Sequence, residues 1–356
     1  MMFEEARAQF PVLERRAYLN AGTSGPLARA TVEALVEETR RDLLEGRSGK
    51  QYVDRMLELR DQVRRRFAEL LRVDVAHIAL VESTSRGCAT VLGGFGLGGE
   101  DEAITTDQEH FGLTGPLYAT GARVVIVDAD EDAILEAVTP RTRLIATSHV
   151  LWTTGRRLDL HRLRRESGLP LLVDGAQSAG AIEVELGELD FYTVSAQKWL
   201  CGPDPSGALY VRDPELVRVK SPSYFSQESY ELSGAFVARE SSARFDAGWI
   251  GVPSLAALIA ALDTHPAWRY ERAAETAARC RELLEPHVEV VTPPGQSTLV
   301  SFRPASDPTE LVARLYERSV IVRELPGRNL VRASCGWWTS EDDLQRLVDG
   351  LVPGSA

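Results

Sequence analysis

At 356 residues, with 44% hydrophobic content and a formal net charge of -12, the chain is long enough to bury a large core and acidic enough to repel nucleic acid and anionic membrane surfaces. Its opening residues MMFEEAR are acidic and amphipathic, and no apolar run of about 18 residues follows, so neither a signal peptide nor a membrane span is predicted and a cytoplasmic location is expected. Four cysteines, Cys88, Cys201, Cys280 and Cys335, lack CxxC spacing, which points to free thiols and to no metal site.

In chain order, the first landmark is YLNAGTSGPL (18–27), followed by helical sequence. From residue 77 to 212, apolar β-branched runs alternate with helical patterns. The predicted strands are HIALVES (77–83), AITTDQ (103–108), RVVIVDA (123–129), RLIATSHV (143–150), PLLVDG (170–175), FYTVSA (191–196) and GALYVR (207–212). That rhythm predicts an α/β fold with a mostly parallel seven-stranded sheet, covering residues 16–254 as the large domain. Beyond residue 255 come a helix, the strand STLVSFR (297–303), the helix PTELVARLYER (308–318), the strands VIVREL (320–325) and LVRASC (330–335), and the helix SEDDLQRLVDGL (340–351). With residues 1–15, this tail is predicted to form a smaller α+β domain.

Gly94, Gly96 and Gly99 match GxGxxG, but a dinucleotide site needs a strand before the glycines and a helix after them. Here the order is reversed, so they are read as a helix end running into a strand.

Only three of the 40 Lys and Arg residues are lysines: Lys50, Lys198 and Lys220. Lys198 lies in SAQKWLCGP (195–203), just past a predicted strand, and Asp174 ends the preceding strand in LVDGAQSAG (172–180). Open α/β sheets build ligand crevices at such strand ends. A partly desolvated lysine amine can attack an aldehyde, which arginine cannot do, and a carboxylate nearby can keep a pyridine nitrogen protonated. The pair therefore points to pyridoxal 5′-phosphate (PLP). Thr84 and Ser85 in ESTSRG open a helix after a strand and could receive a phosphate, with Ser195 and Gln197 adding hydrogen bonds. His110 in DQEHFG is a flat neighbour for the ring. Taken singly, each has a plainer reading: a turn or cap for Asp174, Thr84 and Ser85, a structural role for His110, a surface amine for Lys198. Their convergence on one sheet edge favours the cofactor.

The chain resembles the class V PLP-dependent enzymes of the aspartate aminotransferase fold type, PLP-dependent transferase fold type I: cysteine desulfurases, cysteine/cystine C-S lyases and isopenicillin N epimerase-like proteins. The anchors are YLNAGTSGPL, ESTSRG, DQEHFG, SHVLWTTG, LVDGAQSAG, SAQKWLCGP and LVRASCGWWTSEDD. The resemblance implies that Lys198 is the Schiff-base lysine, Asp174 the pyridinium partner, Gln177 a neighbour of the ring hydroxyl and His110 the stacking residue. It makes Thr84, Ser85, Ser195 and Gln197 phosphate ligands, Arg332 the clamp for the carboxylate of an amino-acid substrate, and Trp152 and Thr153 substrate-facing residues. It also implies a homodimer. A surface ion pair is the plainer reading of Arg332.

Three departures from the family pattern bear on function. Gln197 stands where many relatives carry histidine, and Trp249 where a threonine often reaches the partner subunit's phosphate. The link Glu324–Leu330 lacks the nucleophilic cysteine of desulfurases. The layout follows the C-S lyases most closely, so β-elimination from cysteine, cystine or a related S-conjugate is expected. Aminotransferase and epimerase are the enzymic alternatives, with Trp152, Thr153, Trp249, Trp337 and Trp338 as candidates for steering the outcome. A non-catalytic PLP- or amino-acid-binding protein is the alternative of another class.

Overall fold

The computed structural model describes residues 2–351 and places all seven expected strands in one sheet. These are β1 (Ile78–Val81), β2 (Glu102–Thr106), β3 (Arg123–Val127), β4 (Thr142–Ser148), β5 (Leu171–Asp174), β6 (Phe191–Ser195) and β7 (Gly207–Val211), in the order β1-β7-β6-β5-β4-β2-β3. The neighbours from β6 through β3 pair in parallel, and β7 runs antiparallel to both β6 and β1.

Successive side chains of each strand enter opposite cores, as the strand period requires. Ile78, Leu80, Ile104 and Ile145 face one way, against the helix Gly49–Leu71. Ala79, Val81, Ala103 and Leu144 face the other, against the helices Thr84–Phe95 and Phe111–Tyr118. Burial on both faces explains why these strands read as continuous apolar runs. Each large apolar side chain so buried contributes roughly 1.5–3 kcal/mol. The glycines near residue 95 behave as read: Gly96, at φ +84°, ends the helix, and β2 follows.

A second, antiparallel sheet comprises β8 (Glu289–Val290), β9 (Leu299–Arg303), β10 (Arg323–Leu325) and β11 (Leu330–Ser334), in the order β8-β9-β11-β10. Its core takes Leu311, Leu315, Leu344 and Leu347 from two helices, and also Ala17 and Leu19 from the N-terminal segment. The helix Val252–Asp263 still buries Val252, Leu255 and Leu258 in the first core, and the next helix, Arg269–Leu284, packs in the second.

One predicted strand proves to be two. VIVREL divides at Val322: Val320–Ile321 pairs in parallel with Ala17–Tyr18, and β10 pairs with β11. No glycine or proline marks the break, but the pairing partner changes, and a partner some 300 residues away leaves no local trace. A hairpin of Gln227–Tyr230 and Phe236–Ala238 lies outside the predicted elements and is largely exposed.

The topology decides where chemistry can occur. Thr106, Ser148, Asp174 and Ser195 are the last residues of β2, β4, β5 and β6, so parallel pairing gathers them on one edge.

Candidate active site

At that edge lies a cavity of about 290 Å³. It is bordered by Thr84, Ser85, His110, Trp152, Asp174, Gln177, Ser195, Gln197, Lys198 and Arg332, all singled out from sequence, and also by Ser148 and Arg323, which were not. Thr153 does not border it: its hydroxyl donates to Gln108 Oε1 at 2.6 Å, fastening the 152–155 loop from behind. Trp249 is 61% exposed and packs on Phe225 at a ring-centroid distance of 5.4 Å. Trp337 and Trp338, expected as possible steering residues, instead fill a core with Phe10 and Trp199, because indoles of that size are buried where the two sheets' layers meet.

One side of the cavity is built on the N-terminus of the helix Thr84–Phe95. Ser83 caps it by accepting from the Arg86 amide at 3.2 Å, which leaves the Ser85 side chain free to face the cavity. Ser195 Oγ accepts from the Thr84 amide at 3.2 Å, joining this turn to the end of β6. A Cβ at Gly112 would stand 2.2 Å from Ser85 Oγ, so glycine there makes room for that hydroxyl.

His110 caps the helix Phe111–Tyr118, its Nδ1 accepting from the Gly112 amide at 3.1 Å. Burial and the Lys198 charge lower its pKa, so the ring is neutral with its proton on Nε2. The Trp152 ring meets it edge-on at 5.5 Å and 88°.

Asp174 is 4% exposed, and its Oδ1 accepts from the Ala176 amide at 2.8 Å. Gln177 is clamped: its Nε2 donates to Gly22 O at 2.9 Å, and its Oε1 accepts from Trp199 Nε1 at 3.1 Å. Burial lowers the Lys198 amine to about 8 against the opposing pull of Asp174, with Arg332 and Arg323 adding to the depression. That leaves an appreciable neutral fraction near physiological pH.

Arg332 is 2% exposed, and Arg323 faces it directly across the β10–β11 pair. Like charges so placed repel. Among the described residues neither forms a salt bridge; Arg332 Nη1 donates to Trp152 O at 2.8 Å, and its Nε has no partner. Burial and Arg323 lower the Arg332 pKa to about 9. Gln197 Oε1 and Trp152 Nε1 are likewise buried without partners. Three cations, one carboxylate and several unpaired polar atoms thus border one cavity, a set suited to a ligand with a dianionic phosphate and a polar ring. All four cysteines are buried, and none borders the cavity.

Sheet topology together with a lysine, an aspartate and a helix N-terminus on its carboxyl edge defines the class: an α/β enzyme of PLP-dependent transferase fold type I. The chain belongs to the aminotransferase class-V family, whose sequence profile matches residues 17–347. Isopenicillin N epimerase of Streptomyces clavuligerus is 27% identical over 98% of this chain and 97% of its own length. Cysteine desulfurase of Cronobacter sakazakii shows 27% identity over 98% and 97%. Two structures of C-DES superpose with a TM-score of 0.90. One, the cystine C-S lyase C-DES with its reaction product cysteine persulfide, is 27% identical and covers 96% of this chain and 99% of its own. The other, a lysine-to-alanine mutant with glycine covalently linked to the PLP cofactor, is 28% identical over 97% and 98%. Among the described residues no helix is long and apolar enough to cross a membrane.

Proposed function

We propose that this enzyme is a C-S lyase that expels the β-sulfur substituent of cystine or a related S-conjugate of cysteine. The cofactor is pyridoxal 5′-phosphate. The reading is carried by what borders the cavity: no thiol that could accept sulfur, and two arginines without carboxylate partners among the described residues. A desulfurase route requires the thiol. Cystine offers two carboxylates, one for each guanidinium, and similarity to the cystine lyase C-DES supports the assignment.

When bound, PLP supplies an aldehyde that condenses with amines and a ring that withdraws electrons from the substrate Cα. Thr84, Ser85, Ser195 and Gln197 hold its phosphate, His110 covers the ring, and Gln177 lies near the ring hydroxyl. Asp174 keeps the ring nitrogen protonated, an arrangement that a carboxylate without a salt bridge can sustain. Arg332 fixes the substrate α-carboxylate in a two-point grip, and Arg323 receives the distal one. Lys198 Nζ, neutral in part, takes the Cα proton, and loss of the sulfur substituent then yields pyruvate and ammonia on hydrolysis. Trp152 walls the substrate side, and Thr153 anchors its loop.

Whole-length similarity to isopenicillin N epimerase favours a second reading, return of the proton to the opposite face of Cα. Incubation of holoenzyme with cystine, cysteine and alanine plus an oxo acid separates these readings. Pyruvate and persulfide from cystine, faster than from cysteine, are expected; inversion or amino transfer without elimination overturns the lyase. The enzyme is further proposed to be a homodimer, using exposed apolar groups such as Tyr230, Leu232, Val237 and Trp249. A monomer in sedimentation at working concentration would contradict it.

A further inference from the structure

The mechanism above leaves the carboxylate of Glu109, beside the cavity, without a task. This partly buried group ends the β2–His110 loop and collects four donors. The hydroxyls of Thr106 and Thr147 donate to Oε1 at 2.7 and 2.9 Å, and the Ser148 amide donates to Oε2 at 3.0 Å. The Ser148 hydroxyl donates to the same Oε2. No basic side chain forms an ion pair with it among the described residues. Desolvation raises its pKa and the donors oppose the rise; all four contacts run toward the oxygens only when the group is an anion.

Ser148 borders the cavity, and the β4–β5 register sets it directly beside Asp174. With its proton committed to Glu109, the hydroxyl shows the cavity only a lone pair. Were that proton free, it could turn to the neighbouring Asp174 carboxylate and compete with the ring nitrogen for it. We propose that Glu109 is a positioning residue that holds the Ser148 hydroxyl proton away from the cavity, so that Asp174, whose Oδ1 already accepts from the Ala176 amide, takes no further donor in competition with the ring nitrogen of the cofactor. The proposal rests on the reading that Lys198 and Asp174 hold PLP. The same carboxylate ties the strand end at Ser148 to the loop that carries His110.

The test compares holoenzyme carrying Glu109→Gln, Ser148→Ala and both. A glutamine has one carbonyl oxygen and cannot accept from four donors. Glu109→Gln is expected to load PLP, seen as the cofactor's visible band, and to lose kcat about tenfold or more with KM within about twofold. Adding Ser148→Ala removes the competing hydroxyl, so the double variant should recover at least about half of the lost factor on a logarithmic scale. A merely structural glutamate predicts the reverse, a double variant worse than Glu109→Gln. That result, or wild-type kcat in Glu109→Gln, overturns the proposal. Should Glu109→Gln fail to fold, the same comparison with Glu109→Asp, whose shorter side chain withdraws from Ser148, decides it. A wild-type protein that forms no visible band with PLP would instead overturn the cofactor reading beneath it.

Discussion

Replacing Arg332 by methionine should make the cofactor-free protein more stable while disabling it. The guanidinium is 2% exposed with no anionic partner among the described residues, and burial takes its pKa from the usual arginine range down to about 9. Neutral pH lies below both values, so the charged group's full penalty is present there. At roughly 1.4 kcal/mol for each pKa unit, that penalty is on the order of 5 kcal/mol. Methionine, of similar length, removes it but strands Trp152 O, which costs about 1 kcal/mol, and fills the site imperfectly. A net gain of about 1–4 kcal/mol remains, a rise of a few degrees in Tm. Urea and thermal unfolding of PLP-free wild type and variant at one protein concentration measure it. The variant's kcat/KM for cystine should meanwhile fall at least about 100-fold, since a two-point charged contact is lost. An Arg332→Met apoprotein less stable than wild type would refute the reasoning, because it would mean that the guanidinium is satisfied without substrate.

Three further outcomes are expected. Because only the neutral amine attacks an aldehyde and Lys198 titrates near 8, PLP incorporation into apoenzyme should quicken about tenfold for each pH unit below 8 and level off above it; a flat profile by stopped-flow absorbance would contradict this. Asp174→Asn should retain PLP by equilibrium dialysis yet lose kcat by about 100-fold or more, and near-normal turnover would remove Asp174 from its role. In Gly25→Ala the new Cβ would lie 2.1 Å from Lys198 O and 2.9 Å from Cys201 Sγ, so the Lys198 backbone must shift; kcat should fall along with Tm, and an unchanged kcat would show that the lysine's placement tolerates the displacement.

Most of the large sheet was legible because its inner parallel strands are buried on both faces and therefore write nearly uninterrupted apolar runs, as LIAT and LLVD show; the edge strand β3 leaves Arg123 and Ile126 exposed yet still carries the run RVVIV. Lys198 and Asp174 could be brought to one sheet edge from sequence because Asp174 ends one apolar strand run and Lys198, one of only three lysines, follows the next, whereas Arg332 lies mid-strand and was singled out only through the family resemblance of its motif. Thr153 was misjudged for a geometric reason: its neighbour Trp152 borders the cavity, and the turn points the next side chain at Gln108. Arg323 could have been found by folding VREL-PGRN-LVR about its turn, which sets residue 323 opposite 332 and on the same face. Glu109 had no such signal. In DQEH it reads as one polar loop residue among several, and only the non-local pairing of β2 and β4 surrounds it with donors.

The segment around Lys198 is fastened at almost every residue. Gln197 O accepts from the Gly25 amide at 2.8 Å, Lys198 O from the Cys201 amide at 3.1 Å, and Leu200 O pairs with His265 Nε2 at 3.0 Å. Trp199 is pinned through its indole to Gln177, and His265 is in turn held by Trp337. Lys198 therefore behaves as an arm on a welded pivot: its Cα cannot drift, and only the four methylenes can swing. An amine released from one partner travels no farther than its own tether, so it meets the next reacting carbon at the high local concentration of an intramolecular neighbour. In the proposed lyase reaction, the rigidity of the strap, rather than any added contact at the amine, would let this single lysine serve successive proton transfers.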